Sequence, residues 1–564
     1  MDYRSLAEVY EDLESTTKKL KKTEIIADYI KKVPAKLLPN VILLLTGKIF
    51  PSWSEEETGV ARQLMIKAIA KATGMSEKDI MKKFTSSGDL GKTAEHFIKS
   101  KKQRTLSSKK LSIKDVFDDL QKISKLTGKG SQAQKINLIA GLLSHATPKE
   151  ALYVVRTVLG ELRVGVAEGI VRDAIAQAFK LDKKDVERAY HLHPDYGEVA
   201  AIAKEKGKAG LKLAKIKPGT PIVVLLAEKS PDLKTALEAF EHPILEYKYD
   251  GMRLLIHKKD DKIWLFTRRL ENVSNAFPDL VQLCKKAIKA KECIIDGEAL
   301  GIHPKTGRPM PFQALSTRIK RKHDIEKAAK EIPVQINLFD AVYINGENLM
   351  GLPLKERRDL LKKIFKPIKG KFQLAHHLVT KDYKKADAFY KKALHAGHEG
   401  LIIKNLDAHY VSGRRVAGGW LKIKPVMETL DLAIIGATWG AGKRAGWLGS
   451  LILGCRGAGG KYLKCGMLGT GIKEKKTKEG DVTFKDLTDM LKPHITEEKG
   501  NKVKIKPKIL IEVAYEEIQK SPTYDSGFAL RFPRFIRLRP DKKEADTVAR
   551  IKKLYEQQKG KKVK

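Results

Sequence analysis

The spacing of apolar positions changes character twice along the chain. Up to about residue 215 apolar side chains recur at three-to-four spacing, as they do along one face of a helix. Leu6, Val9, Tyr10, Leu13 and Leu20 form the first such stripe and are expected to be buried together. Thr147-Pro-Lys-Glu150 carries the signature of a capping box with proline in the first turn, which predicts a helix start. Val171, Ile175 and Phe179 mark a further helix after Glu161-Leu-Arg-Val-Gly-Val166.

Lys215-Ile-Lys-Pro-Gly-Thr-Pro221 then breaks the helical pattern, and the period falls to that of strands. Strand-like runs lie at 246–253, 262–267, 292–296, 334–339, 400–404 and 420–424, with helical stretches at 355–364 and 383–395 between them. Near 426–432 the pattern turns to short β runs divided by glycines, which suggests a small barrel. Roughly 541–564 read as a polar helix and a basic tail. The expected organisation is a helical domain over 1–215, an α/β domain over 216–426 and a barrel with its C-terminal helix over 427–564.

Composition narrows the partners. Lys+Arg of 110 against Asp+Glu of 68 leaves a formal charge of +42 in 564 residues, which favours a polyanion, nucleic acid first. An anionic membrane is the alternative, but no basic amphipathic anchor stands out, and the longest apolar runs fall far short of a span. The opening residues lack the apolar core of a signal peptide. Four scattered cysteines, none in a Cys-x-x-Cys pair, argue against a zinc module or disulfide framework and fit a reducing cytoplasm.

The chemistry centres on Glu246-Tyr-Lys-Tyr-Asp-Gly-Met-Arg253. In an extended chain Glu246, Lys248 and Asp250 share one face, Tyr247 and Tyr249 the other. A lysine so placed suits a tethered nucleophile once it is deprotonated, which burial and nearby cations favour and carboxylates oppose. The plain alternative is an ion-paired lysine on a solvated strand. Five further segments place charge on strand faces: Arg268 and Arg269; Asp296 and Glu298; Glu399 and Lys404; Lys422 and Lys424; and Arg531, Arg534, Arg537 and Arg539. In the last two, Leu421 with Ile423 and Ile536 with Leu538 are expected on the apolar side. Lining one cleft, these cations would neutralise a nucleoside triphosphate and the carboxylates would hold Mg²⁺, which points to nucleotidyl or phosphoryl transfer on a polyanion.

Lys-Tyr-Asp-Gly at 248–251, then EGLIIK, WLKIK and RFPRFIRLRPDK in that order, resembles the ATP-dependent DNA ligases, most of all the archaeal replicative type, itself similar to eukaryotic DNA ligase I. The likeness runs from SLAEVYEDLESTTKKL, through LRVGVAEGIVRDAIAQAF and PFQAL, to IEVAYEEIQKSPTYDSGFALRFPRF. It implies a helical DNA-binding domain, a nucleotidyltransferase (adenylation) core and an OB-fold, together a ring around the duplex. It also implies three steps. Lys248 attacks the α-phosphate of ATP, AMP passes to the 5′-phosphate of a nick, and the 3′-hydroxyl displaces AMP.

By this resemblance Glu246 recognises the adenine amino group and Phe339 stacks on the base. Arg253 and Arg268 contact phosphate, Glu298 meets the ribose or metal, and Glu399 helps hold Mg²⁺, for which Mn²⁺ can substitute. Lys404, Lys422 and Lys424 engage the α-phosphate with Arg414 nearby, while Arg531, Arg534, Arg537 and Lys542 orient pyrophosphate when the barrel closes. The implied partner is nicked duplex DNA in replication, repair and recombination, with the chain a cytoplasmic, nucleoid-associated monomer. Relatives often bind a sliding clamp through a glutamine followed by paired aromatics; here the region reads Gln103-Arg-Thr-Leu106 and lacks them. RNA ligases and capping guanylyltransferases share the lysine motif and the barrel, but the helical domain and the RFPRF ending favour the DNA enzyme. An NAD-dependent ligase is disfavoured because its zinc-binding cysteines are missing. A passive basic DNA-binding protein is the reading from another class.

Overall fold

The computed structural model describes every residue except 55, 101–109, 129, 214, 320–323, 414–418, 426, 441–443, 445, 478–479 and 559–564. Arg414, Gln103–Leu106 and the basic tail therefore lie outside the described residues.

The described residues between 3 and 212 form helices around one apolar core. Thr147 accepts from the Glu150 backbone and Glu150 reaches back to Thr147, so the capping box forms and Pro148–Val158 starts where its sequence predicts. The first stripe holds only in part. Leu6, Tyr10 and Leu13 are buried, but Leu20 is 82% exposed. Helix Tyr3–Glu14 ends and a second begins at Lys19, so the rotational phase set by Leu6 is lost before Leu20.

The central part packs two sheets against helices. One sheet, five-stranded, runs in the order Glu228–Lys229, Trp420–Ile423, Gly400–Asn405, Pro243–Lys248 and His377–Val379. The other, six-stranded, runs Lys262–Thr267, Met252–Lys259, Glu292–Gly301, Val334–Ile344 and Glu347–Asn348, with Phe372–Leu374 also beside Val334–Ile344. Gly251 joins Pro243–Lys248 in the first sheet to Met252–Lys259 in the second. A Cβ there would lie 2.5 Å from Ala299 O, so close approach of the two chains is what requires glycine.

In the C-terminal part, Leu430–Trp439 pairs with Leu448–Arg456 along one edge and with Lys502–Ile505 and Leu510–Ala514 along the other. Arg534–Leu538 continues from Leu510–Ala514, and a bridge from Arg534 to Thr470 brings the sheet round on itself, as in an OB-fold barrel. Here the expected alternation fails. Register shifts between Glu512 and Val513, so Phe535 fills the core while Ile536 stands 47% exposed. Among the described residues no helix is long and apolar enough to cross a membrane. All four cysteines are buried and free.

Candidate active site

Strand Pro243–Lys248 is fixed from behind. Tyr247 and Tyr249 pack at 6.2 Å ring to ring, with His398 within 5.1 Å of Tyr247 and 4.9 Å of Tyr249. Phe389, on helix Tyr383–His395, lies 4.8 Å from Tyr247, and the Tyr249 hydroxyl accepts from His376 N at 2.9 Å. With the aromatic face committed to the core, Glu246 and Lys248 face the cleft, as the alternation requires.

The cleft has two ends. At one, Lys248 meets the Glu399 carboxylate, to which Lys424 also pairs at 2.9 Å. Pairing of Gly400 with Lys248 and a Glu399 N–H bond to Lys248 O at 2.8 Å hold these residues together. Gly400 has φ +139°, and a Cβ there would lie 2.2 Å from Ile423 O. Only glycine permits the strands to close at this point. Burial works to raise the Glu399 carboxyl, yet Lys248 and Lys424 hold it below the ordinary value.

Glu298 differs. Burial pushes it up to about 8, with Lys248 and Arg253 opposing, and among the described residues its carboxylate has no hydrogen-bond partner. Asp250 is pushed up to about 6 by burial, then by Glu399 and Glu517. Glu298 and Glu399 are thus two carboxylates near one lysine, one of them unpartnered. This suits a divalent cation whose remaining ligands come from phosphate oxygens and water. The protein supplies no full cage: among the described residues no group of three or more His, Cys, Asp or Glu is set to hold an ion.

At the other end Glu246 is 2% exposed. One of its oxygens meets Arg358, and Lys404 Nζ lies 2.6 Å from the other. The Lys404 ammonium stands 4.0 Å from the Phe339 ring centre and 4.1 Å from that of Trp420. Burial lowers its pKa against the pull of Glu246. The two rings meet edge to face at 5.7 Å. Arg253, 5.0 Å from Trp420, is locked to Asp296 by Nε at 2.9 Å and Nη2 at 2.6 Å, and donates to Leu225 O at 2.5 Å. Tyr410 adds a bond to Asp296 at 3.1 Å.

Several expected residues therefore gather, with some reassignment. Lys404, expected at the α-phosphate, lies on Glu246. Asp296, paired with Glu298 on sequence as a metal or ribose ligand, is consumed by Arg253. Lys422 is half-buried on the strand carrying Trp420, with Leu421 only half-buried opposite Ile403, and Arg268 is exposed in the turn after Lys262–Thr267. From the barrel, Arg531 faces the cleft, paired to Glu517 at 3.0 Å and within electrostatic reach of Glu399 and Asp250. Arg534 is exposed with no side-chain partner among the described residues. Arg537 pairs with Glu512 at 2.7 Å and Lys542 with Asp431 at 3.7 Å, both within the barrel.

Sequence reasoning missed Arg358, Trp420 and Tyr410. A signal for Arg358 existed: it sits between Leu354 and Leu361 at helical spacing, on the buried stripe of Leu354–Lys363.

The chain matches a known family along most of its length. Residues 224–424 match the family model described as ATP dependent DNA ligase domain, residues 2–176 that for DNA ligase N terminus, and residues 444–542 that for ATP dependent DNA ligase C terminal region. The chain is 48% identical over 564 residues to a DNA ligase of Nanoarchaeum equitans, covering 99% of each. It is 46% identical over 560 residues to a DNA ligase of Thermococcus onnurineus, covering 99% of this chain and 98% of that one. A solved structure called Pmar-Lig_Pre., 17% identical, shares the fold over 95% of this chain and 99% of its own with a TM-score of 0.50. With full-length identity at this level and all three parts matched in order, the chain belongs to the ATP-dependent DNA ligase family.

Proposed function

We propose that this chain seals nicks in duplex DNA through an adenylate carried on Lys248. The observation that carries the residue assignment is the junction of Lys248, Glu399 and Lys424, with unpartnered Glu298 alongside. Attack by Lys248 Nζ on the α-phosphorus of ATP forms a P–N bond and expels pyrophosphate. The 5′-phosphate of the nick then takes AMP from the lysine, and the 3′-hydroxyl displaces AMP to form the phosphodiester. The covalent adenylate splits one difficult transfer of AMP from ATP to the nick into two easier ones, and sealing follows as the third step. The family uses ATP and generally a divalent metal; Glu298 and Glu399 would hold Mg²⁺, or Mn²⁺ in its place, and the ion would offset phosphate charge.

The base goes to the Glu246 end. A carboxylate has about four acceptor sites, so Glu246 can take an adenine amino group while keeping Arg358 and Lys404. Stacking on Phe339 requires the Lys404 ammonium to yield the ring face, which gives Lys404 a place at the base rather than at phosphate. Arg253 keeps N–H groups beyond those given to Asp296 and Leu225 for the nucleotide, and Arg268 would contact phosphate. Lys422 and Lys424, with Arg414, serve the α-phosphate. Arg531, Arg534, Arg537 and Lys542 serve pyrophosphate, the last two by exchanging their barrel carboxylates for it. The domain division is 1–215, 216–426 and 427–564. The chain acts as a monomer in the cytoplasm, on nucleoid DNA, and meets a sliding clamp through Gln103–Leu106.

Incubation with α-labelled ATP followed by nicked DNA tests the reading: label should appear on protein and then move to the nick. Arg534→Ala should slow self-adenylation far more than sealing of pre-adenylated nicks, because its guanidinium serves only the leaving pyrophosphate. Equal losses in both steps would remove that role. Affinity for nicked DNA should fall steeply between low and moderate salt, by about 10³-fold or more if six or more phosphates are neutralised. A flat salt profile would contradict the phosphate-contact reading of the lysine excess.

A further inference from the structure

The meeting of barrel and core holds charge that the three steps leave without a task. Between strands Leu510–Ala514 and Glu517–Lys520 the chain reads Tyr515-Glu516-Glu517. Tyr515 is buried and Glu516 is turned outward, 55% exposed at its side chain. The Glu516 N–H donates to Arg531 O at 3.0 Å and fixes the turn. Glu516 Oε2 lies 3.5 Å from Lys424 Nζ, the ammonium that also pairs with Glu399 at 2.9 Å. Glu517 Oε2 lies 3.0 Å from Arg531 Nη1. Two cations assigned above to the phosphates of ATP, one on the core and one on the barrel, are each held by a barrel carboxylate.

Stability alone does not account for this crowding. Glu517 adds to the repulsion already felt by Asp250 from Glu399, and like charges gathered in a half-buried cleft oppose folding. A triphosphate brings several negative charges to the same cations.

We infer that Glu516 and Glu517 are placeholders for the triphosphate: without nucleotide their carboxylates hold Lys424 and Arg531, Glu516 tying the barrel to the core, and ATP enters by displacing them. The inference rests on the proposed function and deepens it. Both are positioning residues that touch no reacting atom. Because ATP competes with a carboxylate tethered in the same molecule, its apparent affinity falls by the fraction of chains in which the cations are occupied.

The test is steady-state nick sealing by the full chain with nicked DNA saturating and ATP varied, with Glu516→Gln and with Glu516→Gln/Glu517→Gln. Exposed ion pairs contribute little, so KM for ATP should fall by about two- to five-fold in Glu516→Gln. The double variant should fall further, with kcat little changed in either. The difference should shrink as salt rises, because the contact is half exposed and screened. A KM unchanged or raised at low salt overturns the inference; a raised value would mean that the carboxylates help to build the ATP-bound form. If the unaltered chain takes up no AMP at all, the ligase reading itself fails. If it seals nicks with a KM indifferent to both substitutions, only the placeholder role fails.

Discussion

Lys248→Ala should abolish covalent AMP uptake and cut nick sealing by at least about 10⁴-fold, the scale set by removing a covalent nucleophile. Binding to a nicked duplex should persist close to the unaltered level. Loss of the lysine leaves Glu399 paired to Lys424 at 2.9 Å, so that carboxylate is not orphaned and the core stays folded. On the proposed reading DNA affinity is spread over the Lys and Arg excess of the +42 chain rather than placed in one side chain. Gel detection of labelled protein, with binding measured on the same preparation, checks both halves. Label persisting in the variant would put the nucleophile elsewhere, and loss of binding together with label would mean that Lys248 is structural.

The second large effect is expected from Arg358→Ala. Arg358 is 3% exposed and supplies one of the two cations on Glu246, while donating to Phe339 O at 3.0 Å. Removing it leaves a buried carboxylate with Lys404 alone, whose ammonium form burial disfavours. Breaking a buried pair from one side costs about 3–5 kcal/mol. The melting transition of the central domain should fall accordingly, and adenylation should be lost even at temperatures where the variant is folded. Adding Glu246→Gln should recover part of the stability, because the unpaired carboxylate goes, but none of the adenylation. A melting transition unmoved by Arg358→Ala would contradict the structural role given to the Glu246 cluster.

How far the sequence foretold these features depended on range. Local chemistry was legible. Thr147 and Glu150 specify their own capping box, and alternation through Glu246–Lys248 assigned the aromatic and charged faces correctly. Tyr383–His395 begins and ends where its periodicity does. Features set across the fold were not. Nothing near Asp296 says that Arg253 will claim it, because the bond crosses between strands Met252–Lys259 and Glu292–Gly301. Lys404 and Glu399 bracket one strand, yet opposite ends of the cleft claim them. Ile536 was misread because a one-residue bulge against Glu512 inverts the alternation, and such a shift leaves no mark in the strand that suffers it. Leu20 was misread because three polar residues, Ser15 to Thr17, reset a helix whose stripe seemed continuous. Glu516 and Lys424 lie 92 positions apart and meet only when the barrel rests on the core.

The central claim is that one amine, Lys248 Nζ, bonds to AMP. Mass spectrometry of peptides from chain incubated with ATP and a divalent metal addresses it directly. The account predicts an adenylyl adduct on the peptide containing Tyr247-Lys248-Tyr249 that disappears when ATP is first removed and nicked DNA is then added. An adduct on any other lysine, or none on this peptide before nicked DNA is added to a preparation that goes on to seal nicks, would contradict it.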